Sequence, residues 1–91
     1  MNKVEIFNKV REAIQSLPIS KTEQYEARKI VSLDSKFGEV AGGLLFDSLD
    51  RIELILKLEE VFGKEIPDSE RLEQIRVVGD IVEYIDEVAN A

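Results

Sequence analysis

The chain has 91 residues, 44% apolar and 34% charged, the make-up of one small folded domain rather than of a disordered chain. It contains no cysteine and no histidine, which argues against a disulfide framework, a thiolate metal site and an imidazole base, and so against a self-contained hydrolase or zinc enzyme. The net charge of −7 is uneven: residues 1–46 hold seven Lys/Arg against six Asp/Glu, residues 47–91 five against thirteen, a field that repels nucleic acid and anionic membranes and attracts basic protein surfaces.

The opening MNKVEIFNKVREAI carries charges throughout and lacks the apolar run of a signal peptide, and no later segment is apolar enough to cross a bilayer, so the expected compartment is the cytoplasm. Ile6, Phe7, Val10, Ile14 and Leu17 recur at helical spacing and predict an amphipathic helix over about 4–17, stopped by Pro18. Ser20 with Glu23 fits a capping box, which makes a short extra helix over about 21–31 a candidate despite the irregular spacing of Tyr25, Ala27, Ile30 and Val31. The following stretch, with Asp34, Ser35, Gly38, Gly42 and Gly43, reads as loop. Leu33, Phe37, Val40, Leu44, Leu45 and Phe46 make it apolar, as expected of a loop packed on a core.

FDSLDRIELILKLEEVF (46–62) predicts the second long helix, over 48–62, with Asp47 or Ser48 as its N-cap and Gly63 at the C′ position. Ile52, Ile55, Leu56 and Phe62 run down one side, and Leu54, Leu58 and Val61 widen that face beyond what one neighbour would cover. Asp50, Glu53, Lys57 and Glu60 form the expected solvated stripe. Asp68 would cap a short helix over about 69–74, and Val78, Ile81, Val82, Ile85 and Val88 or Ala89 predict a last helix over 78–89. The expected fold is all-α: a small four-helix bundle of three longer helices and one short third helix, with a long first connection, forming a single domain over 1–91.

Ser48 admits two readings. Serine at a helix start is ordinarily a cap. The same position suits a phosphodiester, because the first turn has unpaired N–H groups and the positive end of the helix dipole. Asp47 and Asp50 beside it would oppose a phosphate, unless a divalent cation or a basic partner enzyme sits there during transfer.

Residues 47–68, DSLDRIELILKLEEVFGKEIPD, resemble the acyl carrier protein family in the Asp-Ser-Leu motif, the Glu-Leu after Asp50, the L-E-E-x-F helix end and the E-I-P-D that follows. VSLDSKF (31–37) and VVGDIVEYI (77–85) are similar to the family's loop and fourth-helix opening, so the likeness covers most of the chain. The resemblance implies that Ser48 carries 4′-phosphopantetheine, installed from coenzyme A by a phosphopantetheinyl transferase with a magnesium ion. The arm's thiol would then hold acyl groups as thioesters, so the sulfur missing from the chain is imported. It implies no catalysis by the chain itself, and a monomer that delivers intermediates of fatty acid or related lipid and secondary-metabolite synthesis to acyltransferases, ketosynthases and other enzymes with basic docking patches. Asp47, Asp50, Glu53, Glu59 and Glu60 match the family's acidic recognition positions, and Leu49, Ile52 and Leu56 its apolar docking edge, with a plain solvated face and ordinary core packing as the alternatives. Phe37, Leu58, Phe62, Ile66 and Ile75 are candidates for the slot that shelters the acyl chain.

The chain departs from the family pattern before the motif. In EVAGGLLFDSLD about three extra residues precede Asp47, Val40 replaces an acid, and the segment between Leu17 and Val31 is several residues long for the family. One residue is added before Ile75, and Lys57 places a cation in the acidic stripe. The GLL-x-DS run is also similar to D-alanyl carrier proteins, so an aminoacyl or polyketide cargo, or an unmodified interaction module of the same fold, stands as an alternative. The expected form is a discrete, free-standing carrier.

Overall fold

The computed structural model describes residues 1–18, 22–38, 43–66 and 74–89. Four helices stand among them: α1 (Lys3–Ser16), α2 (Thr22–Ala27), α3 (Ser48–Phe62) and α4 (Val78–Ala89). The long ones start and stop where the sequence signals fall. Asn2 caps α1, its side-chain oxygen accepting from the Glu5 N–H at 2.9 Å. Leu17 then turns extended (φ −67°, ψ 147°), as a residue before proline must. Gly63 ends α3 in the left-handed region, at φ 65°. The short helix expected over about 69–74 lies, but for Gln74, outside the described residues. The extra helix expected over 21–31 is present as α2 and is shorter, and Ser20 of its expected cap lies outside the described residues.

α1 packs against both α3 and α4. Ile6, Val10, Ala13 and Ile14 of α1, Leu54 and Leu58 of α3, and Val78, Ile81, Val82, Tyr84 and Ile85 of α4 form one core. Burial of these side chains is the main force holding the bundle, at roughly 1.5–3 kcal/mol for each large aliphatic residue. A surface ion pair, Lys3 to Glu83 at 2.7 Å, also joins α1 to α4, but with both partners half exposed it adds little.

The long loop is packed on the core as its composition predicted. Phe37, Leu44 and Phe46 are buried, whereas Leu33 is exposed, Leu45 is intermediate and Val40 lies outside the described residues. Among the described residues there is no strand, but an isolated antiparallel bridge pairs Lys36 with Val77. Three hydrogen bonds hold the loop to the start of α4: Phe37 N–H to the Arg76 carbonyl (3.0 Å), Val78 N–H to the Ser35 carbonyl (2.9 Å) and Gly79 N–H to the Leu33 carbonyl (2.8 Å). A second pair, Leu44 N–H to the Lys36 carbonyl and Phe46 N–H to the Phe37 carbonyl, both 2.7 Å, delivers the chain to the mouth of α3.

Gly63 gives the first prediction. A Cβ there would meet nothing within 4 Å, so the penalty of a side chain is conformational alone. Gly63→Ala is expected to destabilise the chain by about 1 kcal/mol, lowering the thermal midpoint by about 4–8 °C. A calorimetric scan measures this directly.

Candidate functional site

The first turn of α3 settles the capping question. Asp47 is the N-cap: its Oδ1 accepts from the Asp50 N–H at 2.9 Å. Asp50 replies through Oδ2, which accepts from the Asp47 N–H at 3.0 Å, completing a capping box with an aspartate in the third position. Ser48 is left as the first residue inside the helix. Its side chain is exposed, and its hydroxyl makes no hydrogen bond among the described residues. The two flanking carboxylates, which looked misplaced beside a phosphate site, thus have a structural role.

That role corrects one expectation. Asp50, assigned to the solvated stripe and to partner recognition, is 4% exposed. It points inward because the reciprocal cap draws its carboxylate back over the helix start. There Gln24 of α2 covers it, Nε2 donating to Asp50 Oδ2 at 3.0 Å. The other acidic positions divide. Asp47 and Glu60 are exposed, Glu53 and Lys57 are half-buried, and Glu59 is half-buried with its Oε2 accepting from the Ile66 N–H at 2.9 Å.

The apolar positions divide just as clearly. Leu49, Ile52 and Leu56 are 61%, 57% and 61% exposed, so ordinary core packing does not account for them. At i, i+3 and i+7 they form one stripe on α3. Leu54 and Leu58 face the core, and Ile55 and Phe62 pack against it.

A cavity of about 600 Å³ opens beside Ser48. Apart from Ser48, Arg51 and Glu59, its described lining is aliphatic or aromatic: Phe37, Ile52, Leu54, Ile55, Leu56, Ile66, Ile75 and Ile81. Of the five residues expected to line an acyl slot, Phe37, Ile66 and Ile75 do so. Leu58, completely buried in the core, and Phe62, packed against the core, are not part of the described lining. The wall holding Ser48 comes from α3 itself, which sequence reasoning missed, although Ile52, Ile55 and Leu56 fall at the spacing of one helix side. Arg51 braces the opposite wall, donating to the Ile75 carbonyl at 3.2 Å with its guanidinium 5.7 Å from the Phe37 ring centre.

Sequence reasoning also missed the inner face of α2. Gln24 is fully buried and Arg28, just past the helix end, is 4% exposed, while Tyr25 and Ile30, read as apolar positions of this segment, are exposed. Arg28 donates to the Leu17 carbonyl at 2.6 Å, the Pro18 carbonyl at 3.3 Å and Gln24 Oε1 at 3.4 Å, and its guanidinium lies 5.3 Å from the Phe46 ring centre. Burial holds the Arg28 pKa below its ordinary value, opposed by the charges of Asp50 and Glu53. Gln24 Nε2 also donates to the Leu45 carbonyl at 2.9 Å. The i, i+4 spacing of Gln24 and Arg28 was the available signal.

The capping geometry predicts a contrast. Asp47→Ala removes the acceptor for the Asp50 N–H and is expected to cost about 1 kcal/mol of stability. Ser48→Ala, with no cap to lose, is expected to stay within about 0.5 kcal/mol of the parent. Urea unfolding of the two variants measures the difference.

The chain is similar to known proteins along most of its length. The family described as "Phosphopantetheine attachment site" matches residues 8–85. A protein named acyl carrier protein from Lactobacillus acidophilus is 40% identical over 86 residues, covering 93% of this chain and 94% of its own. One of the same name from Campylobacter hominis is 42% identical over 84 residues, covering 91% and 92%. Another, from Wolinella succinogenes, is 42% identical over 82 residues, covering 89% and 93%.

Proposed function

The chain belongs to the acyl carrier protein family, a carrier of acyl groups on a 4′-phosphopantetheine prosthetic group, and on that premise we propose that Ser48 is the residue to which the group is attached. The observation that carries the assignment is the exposed Ser48 hydroxyl, relieved of capping by Asp47 and standing at the rim of an apolar cavity. When bound, the arm supplies a thiol that holds the acyl group as a thioester.

The chain's own residues contribute position and surface. In loading, Ser48 Oγ would form a bond to the coenzyme A phosphorus that bears the pantetheine arm, the pyrophosphate P–O bond would break with adenosine 3′,5′-bisphosphate as the leaving group, and the serine proton would pass to the transferase, since this chain has no histidine to receive it. The N-terminal end of α3 favours the phosphodiester so formed. The cavity walls shelter an acyl chain, each buried methylene contributing roughly 0.8 kcal/mol. A charged aminoacyl group would lose its hydration there, so the lining supports a hydrocarbon cargo, as in fatty acid or related lipid synthesis, over a D-alanyl one.

The exposed stripe of Leu49, Ile52 and Leu56, flanked by Asp47, Glu53 and Glu60, is the surface for the phosphopantetheinyl transferase and for acyl-processing enzymes with basic patches. Asp50 is outside that surface. In this reading the chain does no catalysis of its own and acts as a monomer in the cytoplasm; no helix among the described residues is long and apolar enough to cross a membrane.

Incubation with coenzyme A and a phosphopantetheinyl transferase is expected to raise the intact mass by one phosphopantetheine, and Ser48→Ala to abolish the gain. An unmodified parent chain beside a modified control carrier would refute the assignment. Partner affinity is expected to fall with salt, because the Debye length shrinks from about 10 Å at 0.1 M to about 3 Å at 1 M. Glu53→Lys is expected to weaken binding by about 0.2–1 kcal/mol in low salt, read by titration calorimetry.

A further inference from the structure

The segment that is long for the family ends in two buried polar side chains, and both lead to the attachment site. Arg28 ties α2 to the end of α1 through the Leu17 and Pro18 carbonyls and bonds the Gln24 amide oxygen. The Gln24 amide nitrogen then reaches two acceptors at once, the Leu45 carbonyl at 2.9 Å and Asp50 Oδ2 at 3.0 Å. Asp50 Oδ2 in turn receives the Asp47 N–H. The chain of contacts therefore runs from the end of α1, through α2, to the residues on either side of Ser48.

Leu45 shows why such a tie is needed. It is the one described non-glycine residue at positive φ (61°), a conformation a leucine adopts only when its surroundings hold it. Released from Gln24, Leu45 would relax toward negative φ, and the turn that brings Phe46 and Asp47 to the start of α3 would open with it. A buried amide is suited to this work, since it satisfies a carbonyl and a carboxylate together and leaves its own oxygen for Arg28.

We infer that Gln24 and Arg28 are positioning residues for the acceptor serine: their buried network holds the 44–47 turn and the α3 cap in the one arrangement that presents Ser48 to the modifying enzyme. The inference rests on the assignment of the arm to Ser48. A carrier whose turn is only partly formed binds the transferase through its competent fraction, so the effect falls on KM and not on kcat.

The test is Gln24→Met, which keeps the volume and removes the amide. Transferase kinetics are expected to show KM raised about 10-fold with kcat within about twofold of the parent, as for a competent fraction near one in ten. Amide hydrogen exchange of the unmodified variant is expected to speed at Leu44, Phe46, Asp47 and Asp50 and to stay unchanged at Val10 and Ile14. Ile85→Val on α4, outside the network, controls for loss of stability and is expected to leave KM as in the parent. In the parent chain, where no variant has to fold, Phe46, Asp47 and Asp50 are expected to exchange as one cooperative unit. A parental KM in Gln24→Met, an equal rise in Ile85→Val, or separate openings at those three amides would overturn the inference while Ser48 stands as the anchor. A parent chain that takes up no arm would overturn the anchor itself and this inference with it.

Discussion

The Asp50 carboxylate is the joint at the functional end of the molecule. A buried carboxylate is costly unless donors surround it, and here the donors come from two directions. The Asp47 N–H belongs to the helix start and the Gln24 amide to a different helix. One oxygen atom thus links the local problem of beginning α3 to the global problem of where α3 begins relative to α2. Because Asp47 completes the exchange from its own side, helix initiation is satisfied without Ser48. A serine with no structural duty is free to be modified without loss to the fold, and the same reasoning puts the carboxylates flanking it to use.

The 15 residues of α3 serve three environments. Leu54 and Leu58 face the core, Ile52, Ile55 and Leu56 line the cavity, and Leu49, Ile52 and Leu56 meet solvent. A helix with so many tasks cannot be sharply amphipathic, and its apolar residues surround most of its girth. An exposed aliphatic stripe would invite association if it stood alone. Here it borders Asp47, Glu53 and Glu60 in the acidic half of the chain, so copies of the protein repel one another while a basic surface is attracted. Ile52 and Leu56 belong both to the cavity and to the exposed stripe, so a partner resting on the stripe touches the wall of the slot that would hold the cargo.

Much of this was legible in the sequence. The three long helices fall within a residue of their predicted bounds because apolar periodicity, Pro18 and Gly63 all marked the same limits. What escaped detection follows from the same signals. Hydrophobic periodicity cannot see the inward side of α2, where the buried residues are Gln24 and Arg28. Asp50 was assigned to the solvated stripe because Asp50, Glu53 and Lys57 share a helix face, but residues in the first turn answer to the cap before they answer to the face. Leu58 was expected in the cavity from the family resemblance, yet it is completely buried in the core and is absent from the described lining, which Leu54, one turn earlier, does reach.

The long loop ahead of Ser48 raises a question of entropy. Lengthening a loop costs little in closure, since the penalty grows only with the logarithm of its length. The greater cost is in definition, because a longer approach to Ser48 has more conformations to choose among. Hydrophobic burial of Leu44 and Phe46 narrows that choice but is non-directional, and cannot by itself select the left-handed Leu45. Directional bonds can. The Gln24 amide nitrogen donates to one carbonyl and one carboxylate, and Arg28 holds the amide by its oxygen with its guanidinium 5.3 Å from the Phe46 ring centre. The turn before Ser48 is therefore ordered by a polar pair that a separate segment supplies, Gln24 of α2 and Arg28 just past its end.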